Sequence, residues 1–144
     1  MHIQKEVNPA LNTVTAYGDD YIEINKQRYQ HSVYFAPEGP IHALDIQQPA
    51  HFTIELLQKI TGVKAIKQSP LDFLESGPVR LSNPQQIEVV LIGTGTRQHF
   101  LSPQLLQPFF SLGIGIETMD SQAAARTYNI LMSEDRRVIT ALIV

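Results

Sequence analysis

The chain has 144 residues, with 11 Lys+Arg against 14 Asp+Glu, five His and no Cys, for a formal net charge of −3. That balance excludes a nucleic-acid protein held by a basic face. The missing cysteine excludes thiol catalysis, thiolate metal sites and any disulfide framework. The length is that of one domain, 1–144, able to bury roughly two thirds of its unfolded surface without a metal or disulfide staple. The opening Met1–Pro9 lacks the apolar core of a secretory signal peptide. No stretch approaches the ~18 consecutive apolar residues of a spanning helix. The expectation is a cytoplasmic protein with no direct membrane span, peripheral to a membrane only through a partner or a modest surface patch.

Residues 1–46 read as strand-rich. Thr13–Tyr17 is a β-favouring run closed by the turn residues Gly18-Asp19-Asp20. Tyr21–Ile24 alternates, Asn25-Lys26 supplies a turn, and Gln27–Phe35 follows with Tyr29, His31, Val33 and Phe35 on one face. Ala36–Pro40 breaks the pattern, and Ile41–Ile46 offers another short strand. An antiparallel meander is predicted. His31 reads as a core histidine and not as a base.

Residues 47–86 form a connector punctuated by proline. Phe52, Leu56 and Ile60 recur at four-residue spacing before Gly62, which is placed to end a helix. Val63–Ile66 reads as a strand and Pro70–Glu75 as a short helix stopped by Ser76-Gly77-Pro78.

Residues 87–144 are the clearest. Ile87–Ile92 is an apolar, β-branched strand of the kind covered on both faces. Ser102 and Pro103 open a helix that runs to about Leu112, ahead of Gly113. Ile114–Met119 is the next strand, Asp120 an N-cap for a helix over Ser121–Met132, and Arg137–Val144 the last strand. This βαβαβ order implies a three-strand parallel unit with right-handed crossovers.

Ligands in open α/β sheets sit beyond the carboxyl ends of the strands. Here those ends are Gly93, Thr94, Gly95, Thr96 and Arg97, and then Asp120 and Ser121. The two glycines could turn backbone N–H groups toward an anion; they equally permit a tight turn with no ligand. The dinucleotide fingerprint needs a third glycine at 98, where the chain has Gln98. On the last helix Ala124, Tyr128 and Leu131 share a core-facing stripe, while Arg126 and Asn129 project together from the other side. With Arg136 and Arg137 they make either a polar recognition patch or a solvated face with salt bridges to Glu134 or Asp135. No nucleophile elbow, zinc helix or EF-hand loop is present, and the five histidines lack paired ligand spacing. No residue is nominated as catalytic or metal-binding, and no cofactor is implied.

An ordered series of motifs runs from Val89 to Leu142. It comprises Gly93-Thr94-Gly95, Leu101-Ser102-Pro103, Gly113-Ile114, Glu117-Thr118-Met119-Asp120, Ala123–Leu131 and Glu134–Val138. The series resembles the family of mitochondrial respiratory complex I assembly factor three, which includes the adipogenesis-associated domain protein and bacterial and archaeal homologues of unknown function. The resemblance implies an α/β single domain of layered β/β/α build, here the N-terminal meander plus the C-terminal βαβαβ unit, with no established enzymatic activity. It also adds weight to the glycine turn and to Arg126 and Asn129, which fall at motif positions. Many relatives have a shorter middle connector with a tryptophan, whereas this chain has no Trp and a longer stretch from Gln47 to Gln86. The function expected is therefore a non-enzymatic interaction protein assisting assembly of a respiratory or other membrane-associated complex. Its partners would be subunits of that complex or another assembly factor. The alternative is a small-molecule or anion-binding protein, or an enzyme, using the cleft at the strand ends. Self-association through a sheet edge or face is expected from the strand-rich, low-charge composition.

Overall fold

A computed structural model describes residues 11–66 and 80–144. The predicted helix at 70–75 and the opening ten residues lie outside the described residues. The chain begins with the predicted meander, β1 (Val14–Tyr17), β2 (Ile22–Ile24) and β3 (Gln27–Tyr29), paired antiparallel in that order. Asn25 and Lys26 both take positive φ, 55° and 69°, the geometry that lets a two-residue loop match strand twist. Asn25 also accepts the Thr13 N–H on its side-chain oxygen at 3.0 Å, tying the turn to the start of β1.

The expected single strand Gln27–Phe35 is two strands. After β3 the chain breaks, and β4 (Val33–Phe35) joins a second sheet by pairing antiparallel with the last strand. His31 lies at the break, exposed, its ring edge-on to Tyr29 at 5.8 Å, so it is not a core residue. The apolar alternation does continue, because Val33 and Phe35 pack with Ile22 and Ile24. Periodicity reports which side of a strand is buried, not which strand lies beside it. The strand expected over Ile41–Ile46 shrinks to β5 (His42–Ala43).

The described part of the connector, up to Ile66 and from Arg80, packs. Thr53 caps α1 (Ile54–Thr61) by accepting the Leu56 N–H at 3.1 Å, and Gly62 ends it in the left-handed region at φ 73°. Leu57 and Ile60 are buried, and a hairpin follows from β6 (Lys64–Ile66) and β7 (Arg80–Ser82).

The predicted βαβαβ unit consists of β8 (Val89–Gly93), α2 (Pro103–Phe110), β9 (Gly115–Met119), α3 (Ser121–Ser133) and β10 (Val138–Leu142). Its three strands are parallel and, with β4 and β5, form a five-stranded sheet of order β5-β4-β10-β8-β9. From β8 to β9 the chain moves one way across the sheet, and from β9 to β10 the other way. Crossovers of one hand must then lie on opposite faces. The packing agrees. Val90, Ile92, Ile139 and Ala141 pack with Leu57 and Ile60 of α1 and Leu106 and Phe109 of α2. On the other side Leu91, Val138 and Leu142 pack with Ala124, Ala125 and Tyr128 of α3 and with Val14, Ile22 and Ile24 of the meander. The build is thus layered α/β, with helices α1 and α2, the central sheet, then α3 beside the meander. Tyr128, Phe35 and Phe109 are the largest fully buried side chains, and burying such a group contributes ~1.5–3 kcal/mol.

Candidate functional site

The bends after β8 and β9 meet at one rim, as the parallel unit requires. The Thr94 N–H donates to the Met119 carbonyl at 2.8 Å, and the Ser121 N–H to the Gly95 carbonyl at 2.8 Å. At this rim opens a cleft of about 630 Å³. Its floor includes Thr94, Gly95, Thr96, Asp120, Ser121 and Arg126, so six of the nine sequence-nominated residues gather there. Gly93, Arg97 and Asn129 do not line it.

Most of the polar groups at the rim are already engaged by the fold. Thr94, buried, donates its hydroxyl to the Arg97 carbonyl at 2.6 Å and accepts the His99 N–H at 3.1 Å. The Ser121 hydroxyl donates to the Ile143 carbonyl at 2.6 Å and accepts the Gly95 N–H at 2.9 Å. That bond occupies a backbone donor that an anion would need. The Asp120 carboxylate accepts the Ala123 N–H at 2.9 Å, as the N-cap of α3. Gly93 is required by close approach, since a Cβ there would meet the Cα and Oγ of Ser121 and the Cδ2 of Leu142, each at 2.8 Å. Gly95 takes φ 97°, which only glycine adopts without strain.

Arg126 and Asn129 both turn toward the meander, but to different ends. The Asn129 side chain accepts the Val14 N–H at 2.9 Å and donates to the Val14 carbonyl at 2.8 Å, mimicking a neighbouring strand along β1. Arg126 is exposed at the cleft and donates to the Tyr17 hydroxyl at 3.1 Å. That bond is the main cause raising the Arg126 pKa above its ordinary value, with Asp120 adding attraction, so the side chain stays cationic throughout the physiological range. Between them on the helix, Tyr128 donates its hydroxyl to the Asn12 carbonyl at 2.7 Å, and burial pushes its phenol above the usual tyrosine range.

The proposed patch joining Arg126 to Arg136 and Arg137 does not form. Arg136 pairs with Glu88 at 2.7 Å and Arg137 donates to the Gln85 carbonyl at 3.4 Å. Both line a separate depression of about 470 Å³ at the opposite ends of the strands. The partner of Arg136 is a residue distant in sequence, not Glu134 or Asp135.

Sequence reasoning missed the rest of the cleft wall. Tyr17, Asp19, Tyr21, Gln48, His99 and Gln122 all line it, and Gln122 donates to the Asp19 carboxylate at 3.1 Å. The turn at 18–20 carried no signal for this placement, because only the packing of the meander brings it over the rim. Also missed was Phe100, 85% exposed beside an apolar groove of about 550 Å³ that includes Pro49, Phe52, Leu101 and Leu105. A large aromatic in a short loop between strand and helix, outside any periodic stripe, was the available signal. Among the described residues, no group of three His, Asp or Glu side chains could hold a metal ion.

Compared with known families, residues 14–143 match the protein family of unknown function designated DUF498/DUF598. The chain belongs to this family. Among curated family relatives it is 32% identical over 90 residues to the 13 kDa major membrane protein of Francisella tularensis, covering 62% of this chain and 67% of that one. It is 41% identical over 58 residues to the human NADH dehydrogenase [ubiquinone] 1 alpha subcomplex assembly factor 3, covering 40% of this chain and 32% of that protein. The chain thus spans about a third of the assembly factor's length. Among solved structures, that of a Bordetella pertussis protein described as an Mth938-like domain is 49% identical with a TM-score of 0.75, covering 99% of this chain and 91% of that one. The family resemblance read from the Val89–Leu142 motifs therefore holds. Among the described residues, no helix is long and apolar enough to cross a membrane.

Proposed function

We propose that the chain is an interaction protein that assists assembly of a respiratory or other membrane-associated complex, with a subunit of that complex or another assembly factor as its partner. The observation that carries this reading is Phe100, held almost wholly in solvent above the groove of Pro49, Phe52 and Leu105. Aromatic side chains beside apolar pockets are the usual energetic anchors of protein contacts. The rim cleft offers less, because the Gly95 N–H and the hydroxyls of Thr94 and Ser121 serve the fold itself. Similarity to the assembly factor supports the kind of complex.

Deleting the gene in the cells that produce the protein and measuring NADH:ubiquinone oxidoreductase on native gels tests this directly. The assembled complex should fall, wild-type protein should restore it, and Phe100→Ser should not. Unchanged complex in the deletion strain overturns the reading. If phosphate or organic acids then raise the melting temperature of the purified protein, the exposed Arg126 marks a ligand cleft instead.

A further inference from the structure

The chain guards its sheet edges unequally. The outer edge of β1 is covered by Asn129, which satisfies both backbone groups of Val14. One edge of the central sheet ends in β5, only two residues long. The other edge is β9, five residues long and without a proline. Covering, shortening and proline are the ordinary ways to stop a strand edge from pairing, and β9 is covered only at its two ends, by the Gln98 side chain at Thr118 and the Phe109 carbonyl at Ile114.

The backbone of β9 divides cleanly. In its parallel ladder with β8, Gly115, Glu117 and Met119 direct their N–H and C=O groups inward; the Gly115 N–H donates to the Glu88 carbonyl and the Met119 carbonyl accepts the Thr94 N–H. Ile116 and Thr118 therefore point outward. Two outward groups are engaged within the chain. The Ile114 N–H donates to the Phe109 carbonyl at 3.2 Å, and the Thr118 carbonyl accepts from the Gln98 side chain at 2.9 Å. Four remain without a partner among the described residues: the N–H and C=O of Ile116, the Thr118 N–H and, by the alternation of an extended chain, the Ile114 C=O.

We infer that β9 pairs antiparallel with β9 of a second copy, with Ile116 opposite Ile116, to join two five-stranded sheets into one. In this register the hydrogen-bonded pairs are Ile116 with Ile116 and Ile114 with Thr118. Each Ile116 exchanges both its bonds with its counterpart, and each Thr118 N–H meets an Ile114 carbonyl. The two groups already engaged, the Ile114 N–H and the Thr118 carbonyl, are the ones that would have bonded each other. Every open group is thus satisfied. Charge fits the same register. The only charged residue of β9 is Glu117, which comes to lie opposite Gly115 of the other copy and not opposite another carboxylate. The contact is isologous, so it closes at two copies. It also places both α2 helices on one face of the joined sheet, each with Phe110, 44% exposed, at the end nearest the turn into β9.

Gly115 offers the test, since a Cβ there would meet only the Glu88 carbonyl at 3.7 Å, an ordinary contact, and the position is exposed. Sedimentation of the full chain over a concentration series should show a monomer–dimer equilibrium. Gly115→Glu sets a carboxylate against Glu117 twice per dimer and should weaken association by roughly tenfold. Gly115→Lys should strengthen it, and Gly115→Glu combined with Glu117→Lys should restore it. Circular dichroism on each variant verifies that the fold persists, and hydrogen exchange at the Ile116 and Thr118 amides should slow as the dimer fills. A wild-type chain that stays monomeric at every concentration overturns the proposal, even if the edge then accepts a strand from another protein. A dimer indifferent to both Gly115 substitutions overturns it equally.

Discussion

The two ends of the central strands hold polar groups in opposite ways. At the carboxyl ends, Thr94, Gly95, Asp120 and Ser121 hold the loop after β8, the start of α3 and the tail after β10 through half-buried neutral or capping hydrogen bonds. At the amino ends, Glu88 and Arg136 form an ion pair whose side chains are 45% and 42% exposed. A bond with a fixed partner and no competing water is costly to lose, whereas a solvated ion pair is screened and contributes little. The comparison also shows that a cluster of polar residues at a favoured site is not the same as a set of available groups. At the carboxyl rim the fold uses them first.

Three measurements sharpen or break that contrast. Gly93→Ala should have the largest effect, because its new methyl overlaps Ser121 and Leu142 where α3 leaves the sheet; overpacking of this kind should destabilise by about 2–3 kcal/mol in denaturant titration. A loss near zero would mean that the rim is pliable and that the glycine marks something other than close packing. Ser121→Ala comes next. It removes the bonds to Ile143 and Gly95 and should cost about 1–2 kcal/mol by the same assay. The smallest effect belongs to the other end. The hydrogen bond from Arg136, then that from the Arg137 N–H, holds the Glu88 carboxyl below its usual value. A carboxylate lowered in this way stabilises the fold above its ordinary pKa, and that contribution fades as pH falls through the lowered one. Because Glu88 is open to solvent, the dependence should be visible in a carboxyl NMR titration and nearly absent from the unfolding curve. Arg136→Gln should return the titration upward; a large acid destabilisation removed by that substitution would contradict the contrast between the ends.

Much of the fold was legible because its signals are local. The Gly62 stop of α1, the Asp120 cap of α3, Pro103 at the start of α2 and the apolar runs of β8 and β10 depend on residues a few positions apart. The common rim followed from those elements, since parallel strands put their bends on one side. What stayed illegible depends on pairing at long range. Nothing within Gln27–Phe35 says that Phe35 will sit against Thr140. Asn129 looked like one half of a surface pair because its partner, the backbone of Val14, is not a residue type that can be read. His31 lost its core position for the same reason, lying where the chain changes sheets.

Sequence alone determined the βαβαβ order, the caps and turns, and the motif series that places the chain in its family. These rest on periodicity and short-range chemistry, which survive without knowledge of neighbours. Tertiary structure decided which polar groups remain open. A hydrogen bond is used or free according to what packs against it. Only the arrangement of sheets, helix and meander leaves Arg126 and Phe100 exposed and the outward amides of β9 without a partner among the described residues.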